Sequence, residues 1–254
     1  MTRLPRYSCN ANYFDRMDGP DQWYWLGFLL GDGCISIPPG RTARLQVSLG
    51  ERDRPHLELL QRALAFTGPA YRLVGNRKGT VTRGAMIAVV SDHLCRRLIE
   101  LGVTPRKSIV GHPLPVVPIR SLAVFIRGYF DANGTASRSG RTGFRLGFSG
   151  QPRLMRWLEE QFQQYTDAGR GLFYPQHPTC AQLVYARRSK VNSLVKWLYS
   201  AEGPALGRKV SVLSPLLKEL DVIRDVASVR ESGDVPVDNC VGVDMSNDAT
   251  GLPP

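Results

Sequence analysis

Residues 25–33 of the chain read WLGFLLGDG, and residues 126–134 read IRGYFDANG. The two stretches are copies at a constant offset, because 134 − 33 equals 101 and the other aligned pairs give the same difference. Each copy is an apolar run with small residues four apart, typical of a helix, and ends in an acid or amide followed by glycine. A repeated helix with a polar tip predicts one two-fold site. The tip residue is Asp32 in the first copy and Asn133 in the second.

The repeat continues beyond these two motifs. Apolar and polar residues alternate at 44–49 and again at 144–149, which predicts hairpin strands with one buried face. An amphipathic helix, a second hairpin and a third helix follow in each half. Asp53, with a proline two residues later, is predicted to cap the first amphipathic helix. We therefore predict an α+β fold of two pseudo-symmetric α-β-β-α-β-β-α halves. The remaining predicted ranges are 53–65, 70–90 and 91–101, and then 151–166, 171–186 and 189–199.

The sequence divides into four segments. The halves are predicted at 1–107 and 121–220, and the connector 108–120 contains three prolines that favour an extended, stiff chain. Residues 221–254 lose the periodicity, carry seven acids against two arginines, and are predicted to form a mostly disordered tail. Because the whole chain carries +11 and the tail carries −5, the body at 1–220 carries +16.

A body this basic favours a polyanionic partner, because each phosphate that it neutralises releases counterions and adds affinity. A basic protein without such a partner is the alternative. No apolar run approaches the roughly 20 residues that span a bilayer, and the N-terminus lacks the apolar core of a signal peptide. We therefore expect a soluble, cytosolic protein with no membrane partner.

The cysteines and histidines lack the spacing that is typical of a zinc site. Five cysteines are scattered without CxxC spacing, so zinc ligation and a disulfide framework are not expected. Cys34 and Cys180 lie in apolar, strand-like runs and are predicted to be small core residues. The four histidines show no metal-ligand spacing and are expected at the surface or in packing.

Small residues mark one face of each motif helix. Gly27 and Gly31 lie one turn apart, and so do Gly128 and Ala132. This pattern permits ordinary packing inside each half, but its duplication favours the two helices packing against each other. Packed side by side, they would bring Asp32 and Asn133 together.

On these two motifs and the two matched halves, the chain resembles the single-chain LAGLIDADG homing endonucleases. The resemblance spans about Tyr7 to Leu220. It implies that the motif helices form the central interface and that the sheets form a saddle on the DNA major groove. It also implies a monomeric enzyme from a mobile element of the intron-homing kind, which cleaves double-stranded DNA with Mg²⁺ or Mn²⁺.

The resemblance implies a metal site at the two helix tips. Asp32 matches the metal-binding acid of the first half, while Gly31 and Ala132 match positions whose backbone carbonyls reach metal. Asn133 departs from the pattern, because an amide oxygen brings no charge to a hard cation. Asp131 precedes Asn133 by two residues, about 200° around a helix, and is predicted to be a cap or an interface polar group.

One lysine follows the third helix in each half, in the doublets Arg106-Lys107 and Arg208-Lys209. By the same resemblance, Lys107 and Lys209 are candidate catalytic residues that orient water or neutralise charge on the phosphate. The alternative is that they steer phosphate or interact with a helix end.

Basic and amide side chains on the hairpins are the candidates for DNA contact, since a two-stranded ribbon fits the major groove. Singly, each is as compatible with a phosphate contact or a solvated charge as with base reading. The candidates are Arg41, Arg44, Gln46, Arg72, Arg77, Lys78 and Arg83 in the first half, and Arg138, Arg141, Arg145, Gln182, Arg187 and Arg188 in the second.

The sequence therefore predicts a site-specific, metal-dependent DNA endonuclease in which Asn133 biases cleavage toward one strand. The alternative is a cleavage-deficient nucleic-acid binder of the same fold, either a DNA-binding regulator or an intron RNA maturase. An intein fragment, suggested by residues 238–240, is disfavoured because no splicing block precedes the first motif.

Overall fold

A computed structural model of the chain describes residues 6–77, 80–107, 111, 113–140 and 143–222. The chain divides into a compact unit, Met1–Val222, and a second unit, Ile223–Pro254. The second unit, which holds nearly all of the predicted tail, lies outside the described residues, as does part of the predicted connector.

The first half follows the predicted order. Its elements are α1 (Pro20–Asp32), β1 (Gly33–Ser36), β2 (Arg44–Gly50), α2 (Arg54–Ala63), β3 (Tyr71–Arg77), β4 (Thr80–Val90) and α3 (Asp92–Glu100).

The second half repeats that order. Its elements are α4 (Ile119–Asn133), β5 (Gly134–Ser139), β6 (Gly143–Gly150), α5 (Pro152–Tyr165), β7 (Leu172–His177), β8 (Cys180–Tyr185) and α6 (Arg188–Leu198). The predicted α+β class and the duplicated order are confirmed. A further helix, α7 (Gly207–Glu219), was not predicted.

Each half contains one four-stranded antiparallel sheet. The strand orders are β1-β2-β4-β3 and β5-β6-β8-β7. Gly33 pairs with Val47 in the first sheet, and Gly134 pairs with Phe148 in the second, so the register repeats at the sequence offset. In β2, Leu45 and Val47 are buried, whereas Arg44 and Ser48 are exposed and Gln46 is half-buried. The helices of each half therefore cover one face of each sheet, called the helix face, and the other is called the outer face.

The motif helices begin and end at residues suited to those positions. Pro20 occupies the first turn of α1, where its missing N–H is not needed, and Gln22 accepts a 3.1 Å hydrogen bond from the Gly19 backbone N–H. Both α1 and α4 pass directly into a strand through a glycine. At Gly33, a Cβ would lie 2.6 Å from the carbonyl oxygen of Leu29. The motif glycine is thus required by a close approach at the helix exit.

Two local predictions were wrong. Cys34 is exposed and Cys180 is half-buried, so neither is a core residue. Because β1 is short and alternates, Ile35 takes the inward position and Cys34 points to the outer face. Asp53 precedes α2 as predicted, but its carboxylate makes no capping hydrogen bond. It accepts instead from Arg208 at 3.1 Å.

Among the described residues, none of the helices has the length and apolar character needed to cross a membrane.

Candidate active site at the motif helix tips

The site is built on direct contact between α1 and α4. A Cβ on Gly27 would overlap the carbonyl oxygen of Phe125, and a Cβ on Gly128 would overlap that of Tyr24. The two positions are 101 residues apart in sequence (128 − 27) and meet the partner backbone in the same way. Backbone therefore packs against backbone about a pseudo-two-fold axis, as predicted from the small residues.

This packing brings the two helix tips together. A Cβ on Gly31 of α1 would touch the Ala132 side chain and lie 3.3 Å from the Asn133 Cγ of α4. Asp32, Ala132 and Asn133 are each half-buried. The structure thus assembles the four predicted metal-site positions, Gly31, Asp32, Ala132 and Asn133, at one place between the halves.

Asp32 is a partly desolvated carboxylate in a cationic setting. Burial raises its pKa, while Lys107, Lys209 and Arg208 act in the opposite direction. Asp53 adds a smaller effect that raises the pKa, but its charge is compensated by the ion pair with Arg208. The result is an acid whose ionised form depends on neighbouring cations, a common property of functional carboxylates.

Lys107 lies beside the first helix tip. Its Nζ donates a hydrogen bond to the carbonyl oxygen of Gly33, directly after Asp32. Burial lowers its pKa, and the Asp32 carboxylate opposes that change. The Lys107 carbonyl accepts a 2.7 Å hydrogen bond from Gln151 of the second half. A half-buried lysine is therefore held next to the Asp32 side of the site.

Lys209 lies beside the second helix tip but is enclosed. Only 1% of the residue is exposed. Its Nζ donates to the carbonyl oxygens of Phe130 and Asp131, the latter at 2.9 Å, and lies 4.5 Å from the centre of the Phe130 ring. Burial lowers the pKa of Lys209 to about 8. Lys209 thus binds the last turn of α4, whereas Lys107 binds the residue that follows α1.

Asn133 lies beside Tyr129. Burial raises the pKa of Tyr129, and a hydrogen bond with the Asn133 side chain opposes that rise. The Tyr129 hydroxyl itself donates to the Ser149 carbonyl oxygen at 2.7 Å. Asn133 thus lies beside a buried tyrosine, and its amide oxygen is an uncharged group of a kind that can bind a hard cation.

Asp131 is part of a buried polar chain that links the halves. Its Oδ2 accepts from the Tyr24 hydroxyl at 2.6 Å and from the Leu206 backbone N–H at 2.8 Å. The Tyr24 hydroxyl is also 2.9 Å from the Nε2 of His56. This position agrees with the prediction that Asp131 is an interface group. We call His56, Tyr24 and Asp131 the buried polar chain.

The buried polar chain is not evident as a unit in the sequence. Its signal is the mismatch between repeats, because the offset of 101 pairs Tyr24 with Phe125, Leu30 with Asp131, and His56 with Trp157. Each of the three residues in the buried polar chain has an apolar counterpart in the other half. Asymmetric polar positions in an otherwise matched repeat mark contacts that only one half makes.

The donor set at the tips has the chemistry of a hard-cation site. It consists of one carboxylate from Asp32, the Asn133 amide oxygen and the backbone carbonyls of the motif, all oxygen donors of the kind that Mg²⁺ prefers. In the part of the chain that the structure describes, three or more His, Cys, Asp or Glu side chains never gather into a possible metal site. The tips therefore suit a cation that carries most of its own water ligands.

The strand registers sort the predicted DNA contacts by face. Arg44 and Gln46 lie on the outer face of the first sheet, whereas Arg72 pairs with Ala85 and Val74 pairs with Arg83, on the helix-face register. In an antiparallel pair, opposed residues project to the same side. Arg72 and Arg83 are exposed, but they do not join the row of Arg44 and Gln46.

The second sheet shows the same division. Arg145 pairs with Ser137, and Gln182 pairs with Ser149, both on the outer face. Arg138 stacks over Phe144 at 5.9 Å on the other face. Three further candidates lie off the strands. Arg41 is exposed in a loop, Arg187 precedes α6, and Arg188 pairs with Glu219 at 2.6 Å. Lys78, Arg141 and the Arg77 side chain lie outside the described residues.

Solved structures share this architecture. The LAGLIDADG homing endonuclease I-GzeII, solved in complex with its DNA target, matches with a TM-score of 0.52 and 11% identity over 84% of this chain and 93% of that chain. The chain has the LAGLIDADG homing endonuclease fold. The predicted resemblance is thereby confirmed at the level of the fold.

Two further LAGLIDADG structures were also found. The meganuclease I-AabMI, bound to uncleaved DNA, has a TM-score of 0.49 and 16% identity over 81% of this chain and 91% of that chain. The endonuclease I-LtrWI, bound to target DNA, has a TM-score of 0.48 and 10% identity over 85% and 92%. No protein-family model and no curated protein matches the sequence.

Proposed function

We propose that the chain is a site-specific DNA endonuclease that acts as a single chain and requires Mg²⁺ or Mn²⁺. One observation carries the proposal: the pairing of α1 with α4 places the Asp32 carboxylate and the Asn133 amide at adjacent helix tips beside Lys107. The strongly basic body supports a polyanionic substrate.

In this proposal, Asp32, Asn133 and the carbonyls of Gly31 and Ala132 hold the cation. The bound metal lowers the pKa of water and stabilises charge on a phosphodiester oxygen. Asp32 must be ionised to do so, and the nearby Lys107, Lys209 and Arg208 favour the ionised form against the burial that raises its pKa. Lys107, which donates to the Gly33 carbonyl directly after Asp32, is our candidate to neutralise charge that develops on the phosphate.

We further propose that the two strands are cut at unequal rates. The second tip offers an uncharged amide, and its lysine is buried against the α4 carbonyls. Because a hard cation binds a carboxylate more strongly than an amide, the strand served by Asn133 is cut more slowly.

The outer-face residues Arg44, Gln46, Arg145 and Gln182 are our proposed base and phosphate contacts in the major groove. Arg72, Arg83 and Arg138, on the other register, are better suited to phosphates at the edge of the interface.

Cleavage is tested on a target recovered from a random duplex library by binding and then cloned into a supercoiled plasmid. With Mg²⁺, we expect open-circle DNA to appear before linear DNA. Asp32→Asn should lower the cleavage rate about a hundredfold or more, since even the loss of an outer-shell partner costs roughly 10- to 100-fold. Its DNA affinity should stay within twofold.

Asp18→Asn is the matched control, because Asp18 is an exposed acid paired with Arg16 at the surface. It should cleave like the wild type. Metal-dependent cleavage that survives Asp32→Asn unchanged would remove Asp32 from the proposed site.

The second candidate function is a nucleic-acid binder that does not cleave, either a DNA-binding regulator or an intron RNA maturase. The uncharged Asn133 tip and the enclosed Lys209 favour it. It predicts salt-sensitive binding without metal-dependent cleavage, and Asp32→Asn without effect.

A further inference from the structure

Large apolar side chains are exposed on one edge strand of each sheet, β3 in the first and β7 in the second. On β3, Tyr71 is 44% and Leu73 is 36% exposed, and on β7, Leu172 is 55% and Tyr174 is 41% exposed. The residues correspond at the repeat offset, because 172 − 71 and 174 − 73 both equal 101. Each half therefore presents one tyrosine and one leucine at equivalent positions, in swapped order. We call these four residues the apolar pairs.

The register places the apolar pairs on the outer face. Tyr71 is opposite Met86, which is opposite Ser48 in the row of Arg44 and Gln46. The amide of Gln46 lies 3.5 Å from the Met86 sulfur, so polar and apolar groups meet on this face. Leu73 is opposite Gly84, a residue with no side chain to cover it.

The second sheet has the same arrangement. Leu172 is opposite Val184, and Tyr174 is opposite Gln182, which is one of the outer-face candidates for DNA contact. The apolar pairs therefore share the face on which the polar candidates lie, in both halves. Exposed apolar groups rimmed by polar ones mark a surface of interaction.

The charge of the molecule and the chemistry of base edges identify an occupant. A body of +16 favours a polyanion. Within the major groove of a DNA duplex, the C5 methyl of thymine is the apolar group that side chains contact. The tyrosine ring and the leucine side chain are suited to cover such a methyl group, and leucine has no polar group with which to bind phosphate.

We propose that the apolar pairs read thymine methyl groups, one set in each half of the target site. The inference rests on the proposed function and adds the base class that each edge strand selects. Because three inter-strand spacings separate β3 from β1 in the sheet, the two strands lie roughly 14 Å apart. The thymines are thus read on the edge strand, away from β1 and the helix tip that precedes it.

The test begins with duplexes selected by binding from a random library without added metal, so that recognition is separated from cleavage. The best site is then synthesised with deoxyuridine in place of thymidine, which removes only the methyl groups. We expect affinity to fall roughly three- to fivefold for each contacted methyl, the equivalent of about 0.8 kcal/mol per buried carbon.

Leu73→Ser should bind the thymidine and deoxyuridine duplexes equally at the position that Leu73 reads. Val74→Ser is the matched control, since Val74 lies on the same strand, is 68% exposed, and pairs with Arg83 on the opposite face. It should retain the full loss on methyl removal. Thermal melting of both variants checks that each remains folded.

Equal affinity of the wild type for thymidine and deoxyuridine duplexes would overturn the inference and leave the proposed function intact. Absence of any sequence-selective DNA binding would overturn both. Concentration-dependent dimers in sedimentation that Leu73→Ser abolishes would assign the surface to a second copy of the chain and overturn the inference as well.

Discussion

The two halves of the molecule share a strand order and a register but differ in the polar groups of their motif helices. Gly27 and Gly128 meet the opposite backbone in the same way. The acids do not correspond: Asp32 stands at the first tip, while Asp131 lies two residues before the second and is buried. The difference shows that the backbone interface constrains both copies equally, whereas the side chains have separate tasks. One acid faces the site, and the other joins the halves.

The largest expected effect on stability concerns the two helix-interface glycines, at which the halves are equivalent. Gly27→Ala and Gly128→Ala should each lower the free energy of unfolding by about 3 kcal/mol, because the added methyl meets backbone that cannot move aside. Chemical denaturation measures both. Gly207→Ala is the control, since a Cβ there meets nothing within 4 Å, and it should be neutral or stabilising. Very different costs at Gly27 and Gly128 would contradict the equivalence.

The next effect comes from the buried polar chain, which only one side of the interface has. Burial lowers the pKa of His56 to about 4 from an unfolded value of 6.5. Between these values the unfolded state binds more protons, so stability falls as the pH drops from 6.5 towards 4. The loss approaches about 3 kcal/mol.

Urea denaturation between pH 4 and 7 measures this slope. His56→Gln should flatten it relative to the wild type. His93→Gln should not, because His93 is an exposed histidine beside Asp15. Identical slopes for His56→Gln and wild type would show that His56 titrates normally in the folded protein.

A smaller effect compares two hydroxyls at the interface. The Tyr24 hydroxyl donates to the buried Asp131 carboxylate, while the Tyr129 hydroxyl donates to the Ser149 carbonyl at 2.7 Å. Hydrogen bonds to charged groups contribute roughly 1.5–3 kcal/mol, against about 0.5–1.5 for neutral ones. Tyr24→Phe should therefore destabilise more than Tyr129→Phe in thermal or chemical denaturation. The reverse order would contradict a stronger hydrogen bond at Asp131 than at Ser149.

Much of the fold was predictable because its helices and strands follow from local patterns of apolar and polar residues. Alternating residues such as Leu45 and Val47 indicated strands, and glycines four apart indicated the helix interface. Helix α7 was missed, since Gly207 and the internal Pro215 hide its periodicity. Cys34 was misplaced because a four-residue strand gives too little alternation to assign its faces.

The site was predictable only in part. The tips could be found from the repeat, because position follows from symmetry. The roles of Asp53 and Asp131 depend on partners far along the chain, Arg208 and Leu206, which no local pattern reveals. The enclosure of Lys209 likewise follows from the way α7 packs on α4 and not from its doublet.

The proposed inequality of the two tips in cleavage can be measured directly. Single-turnover cleavage is followed on a duplex target that carries a different label on each strand, with Mg²⁺ and excess protein. The wild type should cut one strand about tenfold or more faster than the other, and Asn133→Asp should raise the slower rate towards the faster by restoring a charged ligand. Equal rates on both strands in the wild type would show that Asp32 and Asn133 serve the two strands equally.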